Sequence, residues 1–490
     1  MLRRALKLTG GVAAGATVAG WLVYRRERSA VPAGPFELVR APSSAAEPAV
    51  LKRLSTDNLM GGFDAYYLAA IWFYDKPLDA AAIKSTLVAA VTAMPALAGR
   101  RTSDGIILSN EGARLTVREG HPGSARDWCG ADKHVEMPGV RDFADTPSSC
   151  SGGEQPLFTV RVTNFADGTS ALGIASPHSL MDGKSYYKVV SAIAAAHEKK
   201  GNLDKAALLD FDAATIWEEK TKSLDVSKEP TLWVPFRLLE MLEPVWALAM
   251  PRLDQILPRA KVHLSLAELT ELKAAAGNAL AKGGGSKKGC TTNEALSAAF
   301  FVALADEKTG PFAADQPGIV RMVVNVQGRG RFAGVDNVAG NFSWMEWMRT
   351  PKPPAAMATM AEATQFFVEL GAKWRNDASA STCIEEFAIF FRMQDLTGYL
   401  WGKTDSVDNT LFVNNQSSEI PLAKLTFGAG PAIGFQPWHS HQHVQIVAAP
   451  EPPGAKQRLA GGVDVYLPKD YSPRLGTPEF KQKLLFGWRA

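Results

Sequence analysis

Apolar and polar positions follow two periods along this chain, and they exchange at short turn signals. Residues 65–74 form an almost unbroken apolar and aromatic run, which predicts a strand buried on both faces. Over residues 78–94, Ile83, Leu87 and Val91 recur every fourth position, predicting a helix that Pro95 ends. Asp167-Gly168 separates the strand-like stretches 157–165 and 170–175 and reads as a two-residue hairpin. Residues 185–199 then read as a helix that closes on a basic turn and Gly201. The stretch Pro177-His178-Ser179-Leu180-Met181-Asp182-Gly183 therefore falls at a strand-to-helix transition.

A second set of elements follows: a strand at 261–264, a helix from Leu266, a strand at 320–326 and a helix at 355–374. Strand-like stretches surround Leu411, Ile433, Val444 and Val463. Thr291-Thr292-Asn293-Glu294 has the layout of a helix cap, a hydroxyl followed three residues later by an acid. Between the two sets, residues 205–258 carry Trp233, Phe236, Met241 and Trp246 interrupted by Pro235, Pro244 and Pro251. That pattern suits a crossover packed on both halves, with an apolar lid or membrane-contacting surface as the other reading. No short-period repeat is present.

The first thirty residues differ from the rest. Residues 8–24 carry no charge and lie between Arg3, Arg4 and Lys7 on one side and Arg25, Arg26 and Arg28 on the other. The stretch is short against the ~20 apolar residues a bilayer needs. A single-pass anchor, a cleavable secretory or organelle-targeting peptide and a buried helix all stay open, with the anchor preferred. The organisation is thus an anchor or targeting segment at 1–30, a linker at 31–48, a first domain at 49–204, a crossover at 205–260 and a second domain at 261–490.

Composition narrows the class. The 490 residues are 46% hydrophobic and 21% charged, with 53 Lys and Arg against 50 Asp and Glu, so the balance carries no nucleic-acid footprint. Length favours two domains over one core. Cys129, Cys150, Cys290 and Cys383 lack the spacing of a zinc or redox site, and reduced thiols are the reading, although Cys129 and Cys150 could pair.

Of the candidate chemistry, His178 is the leading element. A neutral imidazole at an element end can take the proton of a hydroxyl or amine as it attacks a thioester, then pass it to the leaving thiolate. Asp182 could orient that histidine or enter a buried ion pair that sets the loop; the ion pair is preferred. Arg329, within Asn325-Val326-Gln327-Gly328-Arg329-Gly330-Arg331, is its candidate partner, though the segment also reads as a basic turn. Lys282, Lys287 and Lys288 precede a helix N-terminus with Thr291 and Thr292, a setting that favours phosphates, or a solvated loop. Asn341 is a candidate cleft residue. His439, His441 and His443 alternate as ligands on one strand face would, but no Asp, Glu or Cys accompanies them, so no metal is expected.

The ordered segments resemble the BAHD, or HxxxD-type, CoA-dependent acyltransferases of the chloramphenicol acetyltransferase-like superfamily. The matching segments are Leu54-Ser55-Thr56-Asp57, Ile83 to Leu87 leading to Pro95-Ala96-Leu97-Ala98-Gly99-Arg100, and His178 to Gly183. They continue with Cys290 to Leu296, Asn325 to Arg331 with Gly340-Asn341-Phe342, Phe427-Gly428-Ala429-Gly430-Pro431, and Gly461-Gly462-Val463 to Pro468. The resemblance implies an α/β fold of two chloramphenicol-acetyltransferase-like domains, each a mixed β-sheet with flanking helices, and an active-site channel at their interface. It implies acyl transfer from acyl-CoA as co-substrate, with no permanently bound cofactor, to a small-molecule or lipid hydroxyl or amine. His178 would be the base, Asp182 and Arg329 the structural pair, and Gly183 the support of the loop. A monomer is expected. Thr426 and Ala429 depart from the family's DFGWG, an element that resemblance places away from the histidine, and Pro177 replaces the first histidine of the HH form. A membrane-associated wax or lipid ester synthase and a catalytically silent binding protein are the alternatives.

Overall fold

The structure is a computed structural model. It describes residues 35–42, 49–52, 67–102, 105–129, 143–146, 153–224, 234–235, 259–283, 289–307, 317–328, 332–357, 359–375, 399–400, 410–437, 443–452, 454–455, 457, 459–468 and 474–487. The anchor-like stretch 8–24, Lys287, Lys288, Arg329, His439, His441, Cys150 and Cys383 lie outside these residues. Among the described residues, no helix is long and apolar enough to cross a membrane.

The strands of two six-stranded sheets are, in chain order, β1 Phe36–Val39, β2 Tyr67–Tyr74, β3 Ala113–His121, β4 Thr159–Phe165, β5 Ser170–Pro177, β6 Arg259–Leu264, β7 Ile319–Asn325, β8 Ser343–Arg349, β9 Thr410–Asn415, β10 Gly434–Gln436, β11 His443–Ala448 and β12 Val463–Pro468. The first sheet runs β1-β3-β4-β5-β2-β10, and the second runs β6-β12-β11-β9-β7-β8. Both are mixed, with β3 parallel to β4 in the first and β9 parallel to β7 and β11 in the second. The apolar run of β2 is buried along its whole length, as a central strand covered on both faces must be. Gly168 takes a left-handed φ of 83° in the hairpin between β4 and β5, which sets their antiparallel register.

The helices are α1 Ala80–Ala93, α2 Gly183–Glu198, α3 Ala213–Thr221, α4 Leu266–Lys282, α5 Thr292–Glu307, α6 Met360–Arg375 and α7 Pro478–Phe486. α1 and α2 bury Leu87, Val91, Tyr186 and Val190 in the core of the first sheet, whereas α4, α5, α6 and α7 share the core of the second. The helix expected from residue 355 starts at Met360 instead. Pro354–Ala356 forms a short 3-10 turn after Pro353, and the Thr359 hydroxyl accepts the backbone N–H of Glu362 to open the helix.

One segment of the second half leaves its own sheet. β10 pairs with β2, setting Phe435 opposite Trp72, and Leu425, Phe427 and Ala432 before it join the first core. The hydroxyls of Tyr74 and Tyr466 donate to the carbonyls of Leu425 and Phe435, each at 2.8 Å. The two halves are thereby stitched by backbone as well as by side chains.

Residues 143–146 cross the face of the first sheet opposite α2, where a Cβ added to Gly173 on β5 would sit 1.9 Å from the Phe143 carbonyl oxygen. Asp145 in that segment is buried with Arg161, an ion pair that Thr116 completes by donating to the carboxylate. Because the clash is with backbone, Gly173→Ala should destabilise the fold by about 2–4 kcal/mol, seen as a lowered Tm in thermal unfolding.

Candidate active site

β5 ends at Pro177 and α2 begins at Gly183, so the motif forms the bend between them. His178 keeps 9% of its surface exposed and Asp182 none. Within the bend, the Leu180 N–H donates to the Pro177 carbonyl at 2.9 Å, and the Asp182 carboxylate caps α2 by accepting the Ser185 N–H at 2.9 Å. Beyond the histidine, Arg101 donates to the Ser179 hydroxyl at 3.1 Å.

The second domain holds this bend from the other side through four consecutive residues. The Gly340 carbonyl accepts the Asp182 N–H at 3.1 Å, and the Asn341 amide donates to the His178 carbonyl at 2.8 Å. The Phe342 N–H and Ser343 hydroxyl each donate to the remaining Asp182 oxygen at 3.0 Å, and the Asn325 amide joins them at 2.9 Å. A buried carboxylate is tolerated where charge-assisted bonds replace its water. The described partners of Asp182 are thus neutral donors, with Arg329 outside the described residues.

Burial pushes the His178 imidazole below the ordinary histidine range; its own backbone carbonyl, the charge of Asp182 and the Asn341 side chain partly oppose this. The ring is therefore neutral at pH 7, the state a base requires. Chemically, the arrangement offers a proton acceptor on a bend that cannot tilt without breaking bonds to two domains.

Thr291 is an exposed cap rather than a member of this cluster, its hydroxyl accepting the Glu294 N–H at 3.2 Å while Glu294 accepts the Thr291 N–H at 2.7 Å. Thr292 is the first residue of α5. Near it, Asn293 accepts the Asn415 amide at 2.7 Å, and the next residue of that turn, Gln416, lies over Gly183, where an added Cβ would be 2.9 Å from Nε2. Asn325 opens the segment that the sequence singled out for Arg329, whereas Ser343 and Gln416 lack a sequence signal that would select them from other polar residues at strand ends. Among the described residues, no group of three or more His, Cys, Asp or Glu could hold a metal, and His443 opens β11. Cys129 and Cys290 are free thiols.

The altered FGAG element docks on the far end of α2. Glu198 accepts from the Thr426 hydroxyl and from the Gly428 N–H, the latter at 3.0 Å, while the Phe427 and His197 rings lie 5.9 Å apart. At 1.5 Å per residue, a helix of 16 residues puts this contact ~24 Å from Asp182. The crossover meets the site more directly, since Trp217 on α3 stacks near Phe332 and Phe342 at 4.5 and 5.9 Å, and Asp210 accepts the Ala339 N–H at 2.6 Å.

Comparison with known proteins agrees with this geometry. Residues 42–231 match the model of the Transferase family. No curated protein matches the chain in sequence. Vinorine synthase superposes with a TM-score of 0.58 at 16% identity, covering 88% of this chain and 93% of that one. TRI101 of F. sporotrichioides, solved with coenzyme A and T-2, superposes with a TM-score of 0.65 at 15% identity over 88% and 98% of the two chains. The fold is that of the BAHD-like, HxxxD-type acyltransferases. F. graminearum TRI101 with coenzyme A and deoxynivalenol gives a TM-score of 0.62 at 13% identity, over 89% and 99%. In this HxxxD fold the motif bend lies where the two domains of the present chain meet.

A half-buried carboxyl adjoins the bend. Burial, and then the charge of Asp182, raise the Glu419 pKa to about 7, against the pull of Lys184 and Lys188. Its folded value thus exceeds its ordinary one of 4.5. The stability it lends as a neutral acid is complete below that ordinary value and is lost as pH rises through 7. Glu419→Gln should therefore be more stable than the parent at pH 8 by about 1 kcal/mol, allowing for partial solvent screening, and should lose that advantage by pH 5 in denaturant titrations.

Proposed function

We propose that the chain transfers an acyl group from acyl-CoA to a hydroxyl, with an amine as the other acceptor, by direct attack. His178 takes the acceptor proton as its oxygen bonds to the thioester carbonyl carbon. The carbon–sulfur bond then breaks, and the imidazolium returns the proton to the CoA thiolate. No enzyme nucleophile is needed. Asp182 holds the bend, and Asn341 fixes the histidine backbone.

The observation carrying this reading is the buried, neutral His178 on a bend gripped from the second domain at Gly340 to Ser343. TRI101 in its solved complexes binds coenzyme A together with T-2 or deoxynivalenol, which supports a thioester donor and a small-molecule acceptor here. His178→Ala, checked as folded by circular dichroism, should lose at least a hundredfold in acyl transfer, measured by mass spectrometry of products from an acyl-CoA panel. Retention of more than a few per cent of turnover would remove histidine from the role of base.

The N-terminal stretch 8–24, with basic flanks, is proposed to tether the enzyme to a membrane. Full-length protein should then sediment with membranes and resist high-salt extraction, while a form lacking residues 1–30 should be released with its acyl-transfer rate intact. Equal partitioning of the two forms would sink the tether.

A further inference from the structure

The turn that carries His178 is held from two directions. The Leu180 N–H on the Pro177 carbonyl closes a four-residue turn whose central residues are His178 and Ser179. Sheet pairing stops at Pro177, opposite Tyr67, so the ladder no longer fixes the backbone to which the imidazole is attached. The Asn341 amide, from the second domain, holds the first central residue by its carbonyl at 2.8 Å. From the first domain, Arg101 holds the second by its hydroxyl, with Nη1 3.1 Å from Oγ.

Arg101 stands in the two-residue strand Arg100–Arg101, which pairs with Gly105–Ile107 and follows the 3-10 turn Pro95–Ala98. Successive side chains of a strand point to opposite faces, and these two arginines have different partners. Arg100 donates to the Gly99 and Gly112 carbonyls at 2.8 and 2.9 Å and pairs with Glu111 at 3.4 Å, which ties its own loop together. Arg101 instead reaches across 78 residues of chain to the motif. Both ends of that bond are buried, Arg101 being 6% exposed and Ser179 3%. Taking a guanidinium out of water is costly, and what it returns is fixed geometry more than net stability. A charged donor makes the stronger bond, and the planar fork loses little freedom in making it. One anchor leaves a turn free to rotate about the anchoring bond. A second anchor on the next residue, from an independent element, removes that rotation.

We propose that Arg101 is a positioning residue for the base: its bond to Ser179 fixes the rotation of the turn, and with it the direction of the His178 imidazole. This rests on the acyl-transfer reading of His178 and adds the first-domain half of the grip on it. Misplacing a reacting group by about 1 Å can cost ~100-fold in rate, so loss of the anchor should fall on kcat. Arg101 acts through Ser179 and not on the substrate, so KM for acyl-CoA should stay where it is.

The test uses the full-length protein with the acyl-CoA and acceptor that the parent turns over fastest, at a temperature below the unfolding of every variant. Ser179→Ala removes the bond and keeps the guanidinium; its kcat should fall by roughly tenfold or more while KM for acyl-CoA stays within about twofold. Arg101→Met should show the same split, and Arg101→Lys, which keeps a charged donor, should be at least about threefold faster than Arg101→Met. Ser179→Ala combined with Arg101→Met should be no more than about twofold slower than the slower single variant, because both remove one and the same bond. Should Arg101→Met fail to fold, Ser179→Ala decides by itself. A smaller fall of kcat in Ser179→Ala overturns the proposal. So do losses that multiply in the double variant, and so does a loss carried by KM for acyl-CoA, which would put these residues on the substrate. Absence of transfer by the parent would instead defeat the acyl-transfer reading itself.

Discussion

The Asp182 carboxylate is the constraint on which the rest of the site depends. It is fully buried and takes donors from both domains: Ser185 on its own helix, and Asn325, Phe342 and Ser343 from the second half of the chain. A charge removed from water must be met by several hydrogen bonds, and these can be supplied only when the domains are in register. The interaction therefore specifies geometry more than it adds stability. Three residues of the bend separate the carboxylate from His178, so the same register aims the imidazole.

Supports around that carboxylate come from remote parts of the chain. FGAG clamps the far end of α2, the crossover braces the loop that carries Gly340 to Ser343, and β10 completes the first sheet from within the second half. Each limits how α2 or the gripping loop can move, and Asp182 is the cap of that helix. At that end Glu198 accepts from Thr426 and Gly428, bonds that a hydroxyl and a backbone N–H supply.

Two chemical settings meet where the domains face each other. On the first-domain side, His178 follows an apolar central strand and sits in a medium that keeps the ring neutral. On the second-domain side, the sheet presents Asn414, Gln445 and Tyr466 beside the buried Val447, while its helix-covered face carries valines and leucines.

Elements with a strong period were legible in the sequence: the buried run of β2, the fourfold spacing of α1, the hairpin at Asp167-Gly168 and the cap at Thr291. These are set by neighbours within a few residues, so local chemistry suffices. The motif's place at a strand-to-helix bend was legible for the same reason. The start of α6 was missed by five residues because Pro353 and the Thr359 cap outweigh its apolar period. What only the tertiary structure decided is the company that the motif keeps. Asn325 lies 143 residues from Asp182 and Ser343 161, and the register that aligns Gln445 with Asn414 and Tyr466 joins three strands separate in sequence. An amide or hydroxyl has no period to announce it, and its role arises only when folding buries it beside a charge. The sequence by itself determined the motif and the fold that carries it; the packing of one domain on the other decided what holds that motif in place.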